Sequence, residues 1–212
     1  MKHITFYLDF ISPYAYLAFE ELPQALMGLS YSVTYKPVLF GALLKHLESR
    51  GPAEIPGKRD WTYRQVQWLA HSRGRVLQMP AAHPFNPLGL LRLAIATDPQ
   101  GQPNRYVCET LFKHVWVGGA DAADTERLAS VSRQLAPARD PSEDTVKAQL
   151  RAHAADAIAK GVFGVPAMEV DGKVFWGQDA LPMLRACLEG DAWFDGPQWD
   201  AASHIPVGIS RA

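Results

Sequence analysis

An α/β unit interrupted by a long helical stretch is the fold class this sequence predicts. Three observations predict it. A strand–helix–strand pattern opens the chain, helix-like segments with no strand pattern among them follow, and a strand–strand–helix pattern closes it. With 212 residues, 48% hydrophobic and 20% charged, the chain suits one compact unit, or one unit with an insertion, better than two independent domains.

Lys2 to Phe10 alternates, with Ile4, Phe6, Leu8 and Phe10 on one side, which reads as a strand. Ser12-Pro13 follows, a capping residue and a proline at the first helical position, so a helix is expected to about Met27, bent at Pro23 and stopped by Gly28. Tyr31 to Val38 is a second strand, and strand–helix–strand favours a parallel pair with a right-handed crossover. Helical patterns then run over Asp60–Arg73, from Asn86-Pro87 through Ile95, over Asn104–Val117 and Asp124–Leu135, and from Asp140-Pro141 to about Gly161. Ala167–Val170 and Lys173–Trp176 flank Asp171-Gly172, a hairpin with a type I′ turn. Asp179 to Leu188 is a closing helix with Gly190 as its stop. Trp193, Phe194 and Trp199 make the tail too aromatic to be free, so it is expected to pack. The elements together describe a thioredoxin-like unit (1–38 and 156–192) split by an all-helical domain (39–155), with a tail over 193–212.

Charge and cysteine usage exclude several classes. Lys+Arg is 21 against Asp+Glu 22, a net charge of −1, so no basic excess supports nucleic-acid binding. No apolar run is long enough for a membrane helix, and the N-terminus lacks the pattern of a secretory signal, so a cytoplasmic protein is expected. The two cysteines, Cys108 and Cys187, form no Cys-x-x-Cys pair, and the histidines show no metal spacing. Neither a dithiol redox motif nor a metal site is expected.

Four segments offer chemistry. Ser12 follows a strand and opens a helix, where free N–H groups and the helix dipole concentrate partial positive charge. A cysteine there would have a lowered pKa. A serine there either caps the helix or donates to a thiolate brought by a small molecule. Gly164-Val165-Pro166-Ala167 is compatible with a cis X–Pro bond presenting the Val165 peptide groups to an extended ligand, or with an ordinary strand-start proline. Asp179, in Trp176-Gly177-Gln178-Asp179, is either the cap of the last helix or a carboxylate for an ammonium group. In His83-Pro84-Phe85-Asn86-Pro87, Phe85 offers a face to an aromatic substrate, and Asn86 is a contact or a helix cap.

Phe6-Tyr7-Leu8-Asp9-Phe10-Ile11-Ser12-Pro13-Tyr14, His83 to Leu88, and Gly164-Val165-Pro166 through Asp179 resemble the 2-hydroxychromene-2-carboxylate isomerases, relatives of kappa-class glutathione transferases and of the DsbA oxidoreductases. The resemblance covers nearly the whole chain and implies a DsbA/kappa architecture. It puts Ser12 and Ala15 where the redox relatives carry their two cysteines. It implies a cis Val165–Pro166 bond, glutathione along Val165 and Pro166, and its γ-glutamyl end at Trp176, Gly177, Gln178 and Asp179. Phe85 and Asn86 fall at the organic substrate, which is a small aromatic molecule, and a homodimer is implied. Gln178 and Ala180 depart from the family's usual asparagine and arginine. The function expected is a glutathione-dependent isomerase; a kappa-type transferase or peroxidase and a non-catalytic thioredoxin-like binding module are the alternatives.

Overall fold

The structure, a computed structural model, describes residues 1–209; the end of the tail, 210–212, lies outside them. Strand β1 (Lys2–Leu8) leads to helix α1 (Pro13–Ala25) and strand β2 (Tyr31–Pro37). Helices α2 (Phe40–His46), α3 (Pro56–Ser72), α4 (Leu88–Ala96), α5 (Arg105–Trp116), α6 (Thr125–Leu135) and α7 (Asp144–Ala159) follow. Strands β3 (Ala167–Val170) and β4 (Lys173–Trp176), helix α8 (Leu181–Glu189) and a short α9 (Pro197–Ala202) complete the described chain.

The four strands form one sheet in the order β2-β1-β3-β4. β1 and β2 run parallel, with Ile4 opposite Val33 and Leu8 opposite Pro37. β3 pairs antiparallel with β1, Phe6 opposite Met168, and β4 pairs antiparallel with β3. The hairpin turn has Asp171 at φ 50° and Gly172 at φ 80°, both left-handed, as a type I′ turn requires. The thioredoxin-like arrangement with helices between its second and third strands is therefore as the sequence predicts.

Local chemistry shifts some boundaries. The helix expected from Asp140-Pro141 starts at Asp144, because Asp140 spends its side chain on the Ser142 N–H (2.8 Å) and closes a separate turn. The first helix ends at Ala25, and Gly28 takes φ 88° in the turn after it. Asp179 does not cap the last helix. Gln178–Ala180 form a 3₁₀ turn, and α8 begins after it with no side-chain cap.

Alternation along β1 sorts the core. Ile4, Phe6, Leu8 and Phe10 join α1, α4 and α5 in one buried cluster, while Tyr7 lies on the other face with Val38, Leu43, Ala157, Val162, Val165 and Ala167. Phe112 of α5 is its aromatic centre, with ring centroids 4.9 Å from Phe10, 5.2 Å from Phe19 and 5.9 Å from Tyr16. The tail packs as expected: Phe194 is buried, 5.8 Å from Phe175 of β4, and Trp199 lies 5.4 Å from Phe194.

One buried side chain is a carboxylate. Asp9, just past β1, is 0% exposed. Its Oδ1 accepts from the Ile11 N–H at 3.2 Å and its Oδ2 from the Phe40 N–H at 2.9 Å. Burial pushes its carboxyl up to about 7, against the pull of those N–H groups.

Phe112→Ala is expected to lower unfolding free energy by about 3–5 kcal/mol, measured by denaturant titration. Because the folded state holds the Asp9 proton more tightly than the unfolded chain, the associated stability is present below about pH 4 and lost as pH rises through about 7. Relative to Asp9→Asn, the natural protein should therefore lose up to about 4 kcal/mol over that window, read from unfolding midpoints at a series of pH values.

Candidate functional site

The mouth of α1 is built by the Ser12-Pro13 pair. Ser12 has extended backbone (φ −89°, ψ 115°), and its Oγ accepts from the Ala15 N–H at 3.2 Å, the cap expected of a serine here. Its own hydroxyl donates across the chain to the Val165 carbonyl at 3.3 Å. Pro13 has no N–H, and among the described residues nothing accepts from the Tyr14 N–H. One main-chain donor and the positive end of a helix thus lie beside the hydroxyl of a residue that is 7% exposed.

The second wall is the turn into β3. The Val165–Pro166 peptide is cis. The Val165 N–H has no acceptor among the described residues, and the Pro166 carbonyl accepts from the Gly177 N–H at 2.9 Å. Gly164 is required by contact: a Cβ there would stand 2.6 Å from the Trp176 Nε1. Trp176 is 54% exposed and its ring lies 4.9 Å from that of Phe163. Gly177 is required by conformation, with φ 98° and the Asp179 Oδ1 2.3 Å from where a Cβ would be. Asp179 is exposed, with no hydrogen bond or ion pair among the described residues, and its charge is felt at the Tyr14 hydroxyl.

Ser12, Val165, Pro166, Trp176, Gly177 and Asp179 are therefore linked along one edge of the fold. Gln178 differs. Its side chain is buried and donates from Nε2 to the Glu21 Oε2 at 2.6 Å, and Glu21 pairs with Arg73 at 2.7 Å. Phe85 is half-buried against the core. Asn86 is exposed and its Oδ1 accepts from the Leu88 N–H at 3.0 Å, so its side chain opens α4.

The link from that loop to Ser12 runs through His83, which sequence reasoning left without a role. Its Nε2 is 2.8 Å from the Ile11 carbonyl, and its Nδ1 is 2.7 Å from the Tyr63 hydroxyl. Tyr14, beside Pro13, has its hydroxyl donating to Gln65 Oε1 at 2.6 Å. The signal for His83 was present in the His83-Pro84 segment. The pairings themselves join residues far apart in sequence.

Both protein thiols are held protonated by burial: Cys108 is fully buried and Cys187 is shifted the same way. Among the described residues no group of three His, Cys, Asp or Glu side chains is arranged to hold a metal ion, and no helix is long and apolar enough to cross a membrane. A groove of about 510 Å³ between α5 and α6 and another of about 340 Å³ beside β1, β2 and α7 contain none of the linked residues.

Comparison with known proteins bears on the family and the fold. The 2-hydroxychromene-2-carboxylate isomerase of Sphingobium xenophagum is 27% identical over 194 residues, taking in 88% of this chain and 98% of that protein. Glutathione S-transferase kappa 2 of Caenorhabditis elegans is 27% identical over 217 residues, covering 92% and 95%. A solved structure of a 2-hydroxychromene-2-carboxylate isomerase matches the fold with a TM-score of 0.77 at 22% identity, over 96% of this chain and 100% of that one. The family model described as "DSBA-like thioredoxin domain" matches residues 3–189. With strands, inserted helices and the serine-opened α1 all in place, this chain belongs to the DsbA-like thioredoxin domain family.

Proposed function

We propose that this protein is a glutathione-dependent isomerase of aromatic catabolism that interconverts 2-hydroxychromene-2-carboxylate and trans-o-hydroxybenzylidenepyruvate. The observation that carries the reading is the nearly buried Ser12 hydroxyl at the N-terminus of α1, bonded to the Val165 carbonyl beside an unpartnered Val165 N–H. The residues present fit glutathione. Among the described residues the Val165 N–H has no acceptor and Asp179 has no cation partner, and burial raises the pKa of both protein thiols. Bound there, glutathione supplies a thiol whose reversible addition to a conjugated substrate lets a former double bond rotate.

The chain's own residues do the rest. The Ser12 hydroxyl, whose bond to the Val165 carbonyl is long at 3.3 Å, would turn and donate a hydrogen bond to the glutathione thiolate while keeping its proton. The Tyr14 N–H and the helix terminus add to that field. Each unit by which they lower the thiol pKa corresponds to about 1.4 kcal/mol. The Val165 N–H pairs with the extended ligand, Pro166 shapes the turn, and Trp176, Gly177, Gln178 and Asp179 meet the γ-glutamyl end. Gln178 contributes through its backbone, since its side chain is engaged by Glu21. Phe85 and Asn86 meet the organic substrate. The proposal extends to a cytoplasmic homodimer, in keeping with the resemblance.

The kappa-class relative, as similar in identity as the isomerase, supports a second reading, transfer of the same thiolate to another electrophile. Assay of one preparation on the chromene and on a chloronitrobenzene distinguishes the two.

Ser12→Ala is expected to lower turnover about tenfold or more with glutathione affinity within about threefold; unchanged turnover would remove the role of Ser12. Asp179→Asn is expected to raise the KM for glutathione about tenfold with kcat little changed, measured by steady-state kinetics. Calorimetry in which millimolar glutathione releases no heat would leave a binding module as the reading.

A further inference from the structure

We propose that His83 and Asp9 are positioning residues that clamp the two peptide groups flanking Ile11, Phe10–Ile11 and Ile11–Ser12, and so hold the Ser12 hydroxyl in register. The proposal rests on the role given to Ser12 above. Residues 9–12 form a turn between strand and helix, closed by the Ser12 N–H donating to the Asp9 carbonyl at 3.1 Å. Two side chains hold the peptide groups inside that turn. The Ile11 N–H donates to Asp9 Oδ1 at 3.2 Å, and the Ile11 carbonyl accepts from His83 Nε2 at 2.8 Å.

Each clamp is anchored in a different helix. The second Asp9 oxygen accepts from the Phe40 N–H at 2.9 Å, at the first residue of α2. The second His83 nitrogen meets the Tyr63 hydroxyl of α3 at 2.7 Å. The ring plane of His83 is set by tilted or edge contacts with Tyr63 at 5.4 Å, Trp116 at 5.6 Å and Phe85 at 6.2 Å between centroids. Trp116 in turn donates to the Phe10 carbonyl at 2.9 Å, one peptide earlier. The backbone entering Ser12 is thus held by α2, α3 and α5.

The tautomer follows from the partners. A carbonyl only accepts, so Nε2 carries the proton, and burial lowers the pKa of the imidazole, which favours its neutral form. Nδ1 is then an acceptor facing the Tyr63 hydroxyl, which also lies 2.9 Å from the His83 carbonyl. With both nitrogens committed, the ring has no site left for proton exchange with a substrate, which makes His83 a positioning residue rather than an acid or base.

The test compares His83→Leu with His83→Gln in the full-length protein. Leucine fills the volume without a donor, and glutamine keeps an N–H for the Ile11 carbonyl. Amide hydrogen exchange is read at Ile11, Ser12 and Ala15 without ligand, and kcat and KM are read with glutathione and the chromene. His83→Leu is expected to speed local exchange about tenfold and to lower kcat about tenfold, with the KM for glutathione within about threefold. His83→Gln is expected to return both to within about threefold of the natural protein. Asp9→Asn, which keeps one acceptor oxygen of two, should speed exchange at Ile11 or Phe40. Wild-type exchange in His83→Leu, or glutamine rescuing no better than leucine, would overturn the clamp. Absence of glutathione binding by the natural protein would overturn the role of Ser12 instead, and the exchange measurements would still decide the clamp.

Discussion

The hydrogen bond from the Ser12 hydroxyl to the Val165 carbonyl joins two parts of the chain separated by the whole helical region. Around it the edge of the fold is organised. On one side lie the cap of α1 and its unpartnered N–H; on the other, the turn into β3 and the glycines that let Trp176 and Asp179 close over it. The bond is long, its donor belongs to a nearly buried residue, and its acceptor is a backbone group in the turn just before β3. A contact of that kind registers two elements at modest cost if it is broken.

Much of this was legible in the sequence, and for identifiable reasons. Ser12-Pro13 and Asp171-Gly172 announce themselves because capping and type I′ turns depend on two adjacent residues. The alternation of Ile4, Phe6, Leu8 and Phe10 gave β1 because one of its faces is buried continuously. Asp140 misled because an aspartate before proline serves a turn as well as a helix start, and the choice is made by the Ser142 N–H it binds. Asp179 misled in the same way, since a 3₁₀ turn intervenes before α8. Gln178 carried no hint that Glu21 would take its side chain, because that contact spans most of the chain.

Four buried polar side chains are tied to the backbone or to a distant segment. Asp9, Ser12, Gln178 and the Trp116 indole are buried, and each has a hydrogen-bond partner from a distant segment or the adjoining loop. Apolar packing brings the layers together, and these directional bonds fix how the loops leave the sheet. The cluster of Phe10, Tyr16, Phe19 and Phe112 supplies the adhesion, while Ile11, Ser12 and Val165 set the angles.

The strand order has a consequence for synthesis. β1 is an interior strand, yet one of its two neighbours is β3, with Phe6 facing Met168. On the ribosome the first βαβ segment emerges with that flank of β1 bare, and it stays bare until roughly 130 further residues have been made. An unpaired hydrophobic flank is a template for association with other nascent chains. The helices translated in between, whose buried faces share a cluster with Ile4, Phe6 and Leu8, are the first material able to shelter it.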